Sequence, residues 1–356
     1  MKKYAFYLPQ FHEIEENNKW WGEGFTEWTN IKKARKFYEW QTLDKPLNNN
    51  YYNLLDRETV EWQTSLMHEY KIDGFVYYHY WFEGKLLMEK PAENLLEWKD
   101  INQDFFFCWA NHSFTRGGYN QKEVLLEQKY GKKDDWDNHF HYLLQFFRDS
   151  RYVKENNKPL FMIFKSDFAE MKEMIRYFDQ KCKEAGFNGI CLIESYHGDK
   201  YPQDKEIFKD KDTYKYVREP AFEVFAYKYK IRYSFKWFRY RVLTALNKRG
   251  LWNKPVVYDG NELLRIKMDM EPSGGNIIHG LCFSWDNTSR HGEKGYIITP
   301  ITKEIFINYL NTIKEDKYLI INAWNEWCEG MILEPTEANK YKYLEWIKEW
   351  SDDNDL

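Results

Sequence analysis

The chain has 356 residues, with 52 Lys and Arg against 56 Asp and Glu and a formal net charge of −4. A balance this near neutrality excludes a chain-wide nucleic-acid footprint, and an aromatic content of 19% excludes global disorder. No apolar run reaches the roughly 18 residues of a membrane-spanning helix, which leaves a soluble globular protein carrying more flat rings than a core requires.

At the N-terminus Lys2 and Lys3 precede apolar residues, but Pro9, Gln10 and His12 end the run too early for a signal peptide. Lys3–Leu8 instead reads as a first strand. Similar short, continuous apolar runs follow at Gly74–Tyr80, Phe105–Trp109, Leu160–Phe164, Gly189–Glu194, Thr213–Val217, His279–Ser284 and Tyr318–Asn322. Runs without alternation suit strands buried on both faces. Helical periodicity falls between them, at Arg57–Tyr70, Trp136–Phe147 and Phe168–Ala185. Eight strands alternating with helices predict an α/β fold, a (β/α)8 TIM barrel. Two connections are long, Pro9–Asp56 after strand one and Arg218–Asn276 between strands six and seven. One catalytic domain over residues 1–350, followed by an acidic tail at 351–356, is the simplest organisation. The cysteines Cys108, Cys182, Cys191, Cys282 and Cys328 are odd in number and scattered, so they form no disulfide framework. A cytoplasmic protein is the expectation.

In such a barrel the catalytic face lies at the strand C-termini, and there the polar residues cluster. Strand one is followed by Gln10 and by a Trp20-to-Asn30 segment holding Trp21, Glu27 and Trp28. Strand two ends in His79, Tyr80 and Trp81; strand three in Trp109, Asn111 and His112; strand seven in Trp285, Asp286 and Arg290. Strand eight is followed by Asn325, Glu326, Trp327 and Glu329, then Glu334. Trp, carboxylate and amide side chains together suit a sugar: flat rings stack on its C–H faces while the polar groups grip its hydroxyls. Glycoside cleavage needs two carboxyl groups, a proton donor and a base or nucleophile. Glu326 and Glu329, three apart, fall on one side of a helical turn, where mutual repulsion raises one pKa and leaves the other group ionised. A solvated acidic turn at a helix N-terminus is the alternative.

Five ordered segments, YAFYLPQFHEIEENNKWWGEGFTEWTN, DGFVYYHYWFEGK, FCWANHSFTR, LCFSWDNTSRHG and INAWNEWCEGMILEP, resemble the bacterial WbsX-type proteins. Those are named as glycosyltransferases from their place in polysaccharide-biosynthesis clusters. They are related to glycoside hydrolase family 99, the endo-α-mannosidases and mannanases, which are (β/α)8 barrels. The resemblance runs from about Lys3 to about Lys348. It implies a retaining glycoside hydrolase, or a transferase of surface-polysaccharide synthesis, acting on an oligo- or polysaccharide. It also implies that Glu326 is the base acting on the sugar 2-hydroxyl, through a 1,2-anhydro sugar, and Glu329 the acid/base. One departure stands out. The WbsX-type pattern after strand three is usually Trp-Ala-Asn-Glu-Asn-Trp-Thr-Arg, whereas here His112 replaces the carboxylate and Phe114 the second Trp. His112 then recognises a different sugar or an anionic group, marks a decayed site that only binds glycan, or is a surface histidine.

The other candidates leave open readings. Tyr7, at the end of strand one, joins the substrate-binding set. Asp286 and Arg290 either bind hydroxyls or pair with each other. His79 is a substrate ligand or a core histidine, and any single Trp is a stacking platform or core. Metal sites find no support: His139 and His141 point to different faces and no Cys pair has zinc spacing. No glycine-rich phosphate loop is present, and the Asp-x-Asp copies Asp210-Lys211-Asp212 and Asp353-Asn354-Asp355 sit in charged stretches, so no cofactor is expected. Tyr227–Lys254 holds nine Lys or Arg and no acid among aromatics. It reads as a solvated basic helix or as a peripheral contact for an anionic membrane or lipid-linked glycan; no nucleic-acid motif accompanies it.

Overall fold

In a computed structural model, the structure describes residues 1–116, 123–196, 213–269 and 276–355, without the side chains of 196, 222–225 and 227. Eight parallel strands form the barrel: β1 (Lys2–Tyr7), β2 (Gly74–Phe82), β3 (Phe105–Trp109), β4 (Lys158–Ile163), β5 (Cys191–Tyr196), β6 (Thr213–Val217), β7 (Ile277–Cys282) and β8 (Tyr318–Asn322). Each pairs with its sequence neighbour, and β1 pairs with both β2 (Tyr4 opposite Gly74) and β8 (Tyr4 opposite Ile320), which closes the ring. The predicted strands thus all form, with ends shifted by up to two residues. The Asp210-Lys211-Asp212 copy lies outside the described residues.

The predicted helices appear as α3 (Arg57–Glu69), α5 (Lys133–Phe147) and α6 (Met171–Glu184). The long first connection carries α1 (Glu15–Trp21) and α2 (Glu27–Lys33), and the second carries α7 (Phe222–Arg232), α8 (Ser234–Lys248) and α9 (Gly260–Met268); α4 (Lys90–Glu97) follows β2, α10 (Thr288–His291) follows β7 and α11 (Lys303–Thr312) precedes β8. The C-terminal helix α12 (Lys342–Asp353) runs past residue 350. The expected acidic tail therefore begins inside it, where Ser351 is buried and donates to the Ile347 carbonyl.

Strand alternation sorts the aromatic residues. Phe6 touches Tyr216 at 5.8 Å between ring centroids and Tyr4 touches Phe106 at 5.2 Å. These residues lie on strands that are not neighbours, so the contacts cross the lumen. Phe6 also stacks on Tyr78, so the even positions of β1 and β2 face inward. The odd positions face the helices. Tyr7 donates to Gln63 of α3 at 2.7 Å, and His79 Nε2 meets His139 Nε2 of α5 at 2.8 Å. Because α5 buries it among rings, His79 is pushed down to about 3 and is a core histidine. Trp81 stacks on His139 at 4.6 Å, and Trp109 donates to the Trp81 carbonyl. His79, Trp81 and Trp109 are corrected accordingly, from sugar-binding residues to barrel–helix packing, as is Tyr7.

Beneath the mouth one buried network ties β1, α3 and the segment after β8. Glu334 accepts from Gln63 Nε2 (2.6 Å), Tyr52 Oη (2.8 Å) and Trp327 Nε1 (2.8 Å). Asn325 accepts from the Leu8 amide at 2.7 Å and donates to the Leu8 carbonyl at 3.1 Å. Trp28 packs on Phe11, Tyr52 and Trp327 and donates to the Tyr52 carbonyl. Trp28, Asn325, Trp327 and Glu334, predicted to touch substrate, are thereby placed in the support of the site, since their polar atoms are taken up inside the protein.

Burial pushes the Glu334 carboxyl up to about 7, against its three donors. A carboxyl raised on folding holds a proton that the unfolded chain has released, so its stabilisation is complete below the unfolded pKa and lost as pH rises through the folded one. Denaturant titrations should show stability falling by about 2–3 kcal/mol between about pH 4.5 and 7 from this group. Glu334→Gln should flatten that slope; an unchanged slope would reject the assignment.

Candidate active site

The segment after β8 forms a tight hairpin. Asn325–Glu326 pairs antiparallel with Met331–Ile332 around a 3-10 turn at Trp327–Glu329. Glu326 and Glu329 thus face the same side, as their spacing predicts, but on a 3-10 turn, where residues three apart eclipse. The turn closes through Gly330 at φ 65°, in the left-handed region. A Cβ there would come within 2.8 Å of the Asp286 amide nitrogen, so only glycine lets the β7 and β8 loops approach this closely.

Glu27 arrives from the other side, at the first position of α2. The Thr26 amide donates to Thr29 Oγ1 at 3.3 Å, fixing the helix start, where the macrodipole favours a carboxylate. The Glu27 amide donates to the carbonyl of half-buried Gln10 at 3.4 Å.

Arg290 joins the three carboxylates. Its Nη1 donates to Glu329 Oε1 at 2.7 Å and its Nη2 to Glu27 Oε2 at 3.0 Å, while Glu326 Oε2 stands 3.9 Å from Nη2. The Asp286–Arg290 pair, one of the two readings of that spacing, does not form. Asp286 instead accepts from Gln41 Nε2 (2.7 Å), the Thr288 amide (2.9 Å) and Thr288 Oγ1 (2.6 Å). An aspartate two residues before Thr288 closes its own turn more readily than it reaches along the chain. Trp285 stacks on Tyr296 and is likewise packing.

One cation among three carboxylates leaves an excess of negative charge in a buried place. Burial raises the Glu326 carboxyl well above its ordinary value, and Glu329 raises it further. Its Oε2 is buried without a hydrogen-bond partner. Burial raises Glu329 too, but its direct bond to Arg290 opposes this. The proton of the free pair therefore belongs on Glu326, and Glu329 is the ionised member.

Rings line the approach. Tyr80 contacts Phe114, which contacts Trp20, and exposed Trp21 lies under Arg116. Tyr78 lies in the field of Glu326 and Glu329 and touches Phe164. Across the mouth, His112 lies beside Phe164 and Phe114, and Arg218 sits over the Phe164 ring. Asn111 clips the β3 and β4 loops together, donating to the Lys165 carbonyl and accepting from its amide, both at 2.7 Å. Of the predicted residues, Gln10, Trp21, Glu27, Tyr80, His112, Arg290, Glu326 and Glu329 stand around the mouth. Tyr78, Phe114, Phe164 and Arg218 were not predicted, although Tyr78 and Arg218 follow from alternation along β2 and β6. Among the described residues no group of three or more His, Cys, Asp or Glu could hold a metal ion.

The sequence profile of the family described as Glycosyltransferase WbsX matches residues 3–347. An uncharacterized protein WxcX of Xanthomonas campestris is 28% identical over 96% of this chain; since that alignment covers 48% of WxcX, the chain spans about half the length of this relative. Among solved structures, a GH99 endo-alpha-mannosidase from Bacteroides thetaiotaomicron superposes with a TM-score of 0.56 at 14% identity, covering 99% of this chain and 96% of that one. A glycoside hydrolase-like protein gives 0.57 at 12% identity, covering 99% and 93%. Those likenesses concern the fold. The profile match, spanning the whole barrel and every carboxylate gathered by Arg290, places this chain in the WbsX glycosyltransferase family.

Proposed function

We propose that the protein is a glycan-processing enzyme, a retaining glycoside hydrolase of family 99 type acting within an α-mannoside-like chain of a bacterial surface polysaccharide. The carrying observation is the Glu326/Glu329 pair beside Arg290 at the barrel mouth, with Glu326 Oε2 lacking a hydrogen bond and Glu329 bonded directly to the guanidinium. Such a pair supplies a proton and a base in one step. In the free protein the donor is Glu326, the reverse of the roles the resemblance implies. The same two groups serve a transferase when a sugar hydroxyl replaces water as acceptor, and the family's name favours that second reading.

Oligosaccharides and the matching α-glycosyl fluorides separate the roles, because fluoride leaves without a proton. Glu326→Gln should lose about 10²–10⁴-fold on oligosaccharides and keep most fluoride turnover, while Glu329→Gln loses both. The opposite pattern exchanges the roles; unaffected turnover in both variants rejects the mechanism. Products carrying an added sugar, or calorimetric binding of nucleotide sugars, favour the transferase. Tight glycan binding with no turnover makes the protein a carbohydrate-binding one.

The surroundings of the pair set its pH range. Glu27 raises Glu326 and Arg290 lowers it. An acid that must be protonated fails as pH rises through its pKa, so Glu27→Gln should move the alkaline limb of kcat/KM to lower pH and Arg290→Met to higher pH. Limbs that stay in place would show that Glu326 is not the titrating acid.

The basic segment contributes a second surface. Tyr229, Trp237 and Tyr240 turn inward, whereas Ile231, Phe235, Phe238 and Val242 are exposed, Phe235 by 81%. Arg239, Arg241 and Arg249 are exposed beside them, with no ion pair among the described residues. An exposed apolar ridge amid cations fits an anionic bilayer, and it repels a second copy of itself. No described helix is long and apolar enough to cross a membrane. The chain should co-sediment with phosphatidylcholine vesicles containing 30% phosphatidylglycerol and not with phosphatidylcholine alone. Arg239→Ala with Arg241→Ala should weaken partitioning roughly 25-fold, at about 1 kcal/mol per cation. Equal binding to both vesicles, or none, would reject this contact.

A further inference from the structure

The mouth of the barrel is divided by charge. Its acidic arc is built on β7, β8 and the loop after β1, through Arg290, Glu326, Glu329 and Glu27. The opposite arc carries a histidine and two cations at three strand ends: His112 after β3, Lys165 after β4 and Arg218 after β6. Arg218 is fixed there. Its Nε donates to Ser195 Oγ at 3.1 Å, its Nη2 donates to the Phe164 carbonyl, and its guanidinium lies 3.6 Å from the Phe164 ring centroid. Nη1 makes no hydrogen bond to a described residue. Lys165 is exposed, and its Nζ is likewise unengaged among the described residues. His112 Nδ1 is buried without a hydrogen-bond partner, on a ring wedged between Phe114 and Phe164.

No described carboxylate forms an ion pair with any of the three. Asp167 influences Arg218 only more weakly than burial does. The buried His112 Nδ1 has no partner among the described residues, an expensive arrangement if it served the fold alone, because a buried polar group left unmatched costs stability, and the Lys165 and Arg218 charges act on the same ring. Tyr78 links this arc to the acidic one: Glu326 and Glu329 act on its phenol, and the phenol acts on Arg218.

We propose that His112, Lys165 and Arg218 form a subsite for an oxyanion carried by the glycan, either the carboxylate of a uronic acid or a phosphate ester on a sugar. This deepens, and rests on, the glycan-processing reading of the same cleft. The guanidinium Nη1 and the ammonium donate to the anion. His112, pushed down to about 4 by burial and by the Lys165 and Arg218 charges, is neutral in the free protein and takes up a proton as the anion arrives. Binding in this arc orients the chain, with its charged residue toward β3–β6 and the reacting bond toward Glu326 and Glu329.

Binding of D-glucuronate, D-mannose 6-phosphate, D-mannose and inorganic phosphate, measured by calorimetry on the full chain, tests this without turnover, so its failure is distinct from failure of the hydrolase reading. One or both charged sugars should bind at least about 10-fold tighter than D-mannose, the scale of one charge-assisted hydrogen bond; which of them does so identifies the anion. Lys165→Met, at an exposed position, and Arg218→Met should each remove that preference, and His112→Glu should reverse it toward the neutral sugar. The His112 ring protons, followed by NMR, should titrate at higher pH in the presence of the charged sugar. D-mannose bound as tightly as both charged sugars, or a preference untouched by Lys165→Met and His112→Glu, would overturn the proposal. So would inorganic phosphate bound as tightly as mannose 6-phosphate.

Discussion

Three carboxylates share one guanidinium, and the site follows from that imbalance. Arg290 engages Glu27 and Glu329 directly and leaves Glu326 at 3.9 Å. Taking ionised carboxylates out of water costs several kcal/mol each unless they are paired. With one cation available, a proton is the least costly remaining neutraliser, and it goes to the group that makes no hydrogen bond to Arg290. The proton on Glu326 is thus a consequence of the charge count, and the neighbours that change the count, Glu27 and Arg290, set its pH range. Closure of the barrel makes the meeting possible. β7, β8 and β1 are consecutive staves, so Arg290 and Glu27, 263 residues apart in the chain, lie across one short arc.

Much of this was legible in the sequence because it rests on local pattern. Continuous runs such as Phe105–Trp109 bury both faces of a strand, and they mark the barrel with little ambiguity. The spacing of Glu326 and Glu329 gave their shared direction. What local pattern cannot carry is which side of a strand faces the mouth. His79 and Trp81 stand in the same run as Tyr78 and Tyr80, and parity alone divides them: the odd pair meets α5, while the even pair meets the lumen and Glu326. Phe6, stacked on Tyr78, sets that parity. Partners distant in sequence were equally hidden. Asp286 and Arg290 are four apart and of opposite sign, yet each finds a better neighbour, Gln41 and Glu27, on loops that only the closed barrel brings near.

The surplus of aromatic residues resolves into three groups with different physical roles. The largest fills the lumen and the barrel–helix interface, where Trp81, Trp109 and Tyr7 spend their polar atoms on internal partners. A second, running from Trp20 through Phe114 to Tyr80, leads from the rim into the mouth. A third, Phe235 and Phe238, projects from α8 among cations. Only the second leads toward Glu326 and Glu329.

Tyr78 connects the two halves of the cleft. Burial, and then the nearby Glu326, hold its phenol neutral, so it stands between the acidic and basic arcs without adding a charge to either. That neutrality matters, because an ionised side chain there would screen Arg218 from a ligand or take the proton from Glu326. A neutral ring leaves both fields intact. The cleft is then dipolar along the line from Arg218 to Glu329, and a substrate with one anionic end has a single favourable orientation in it.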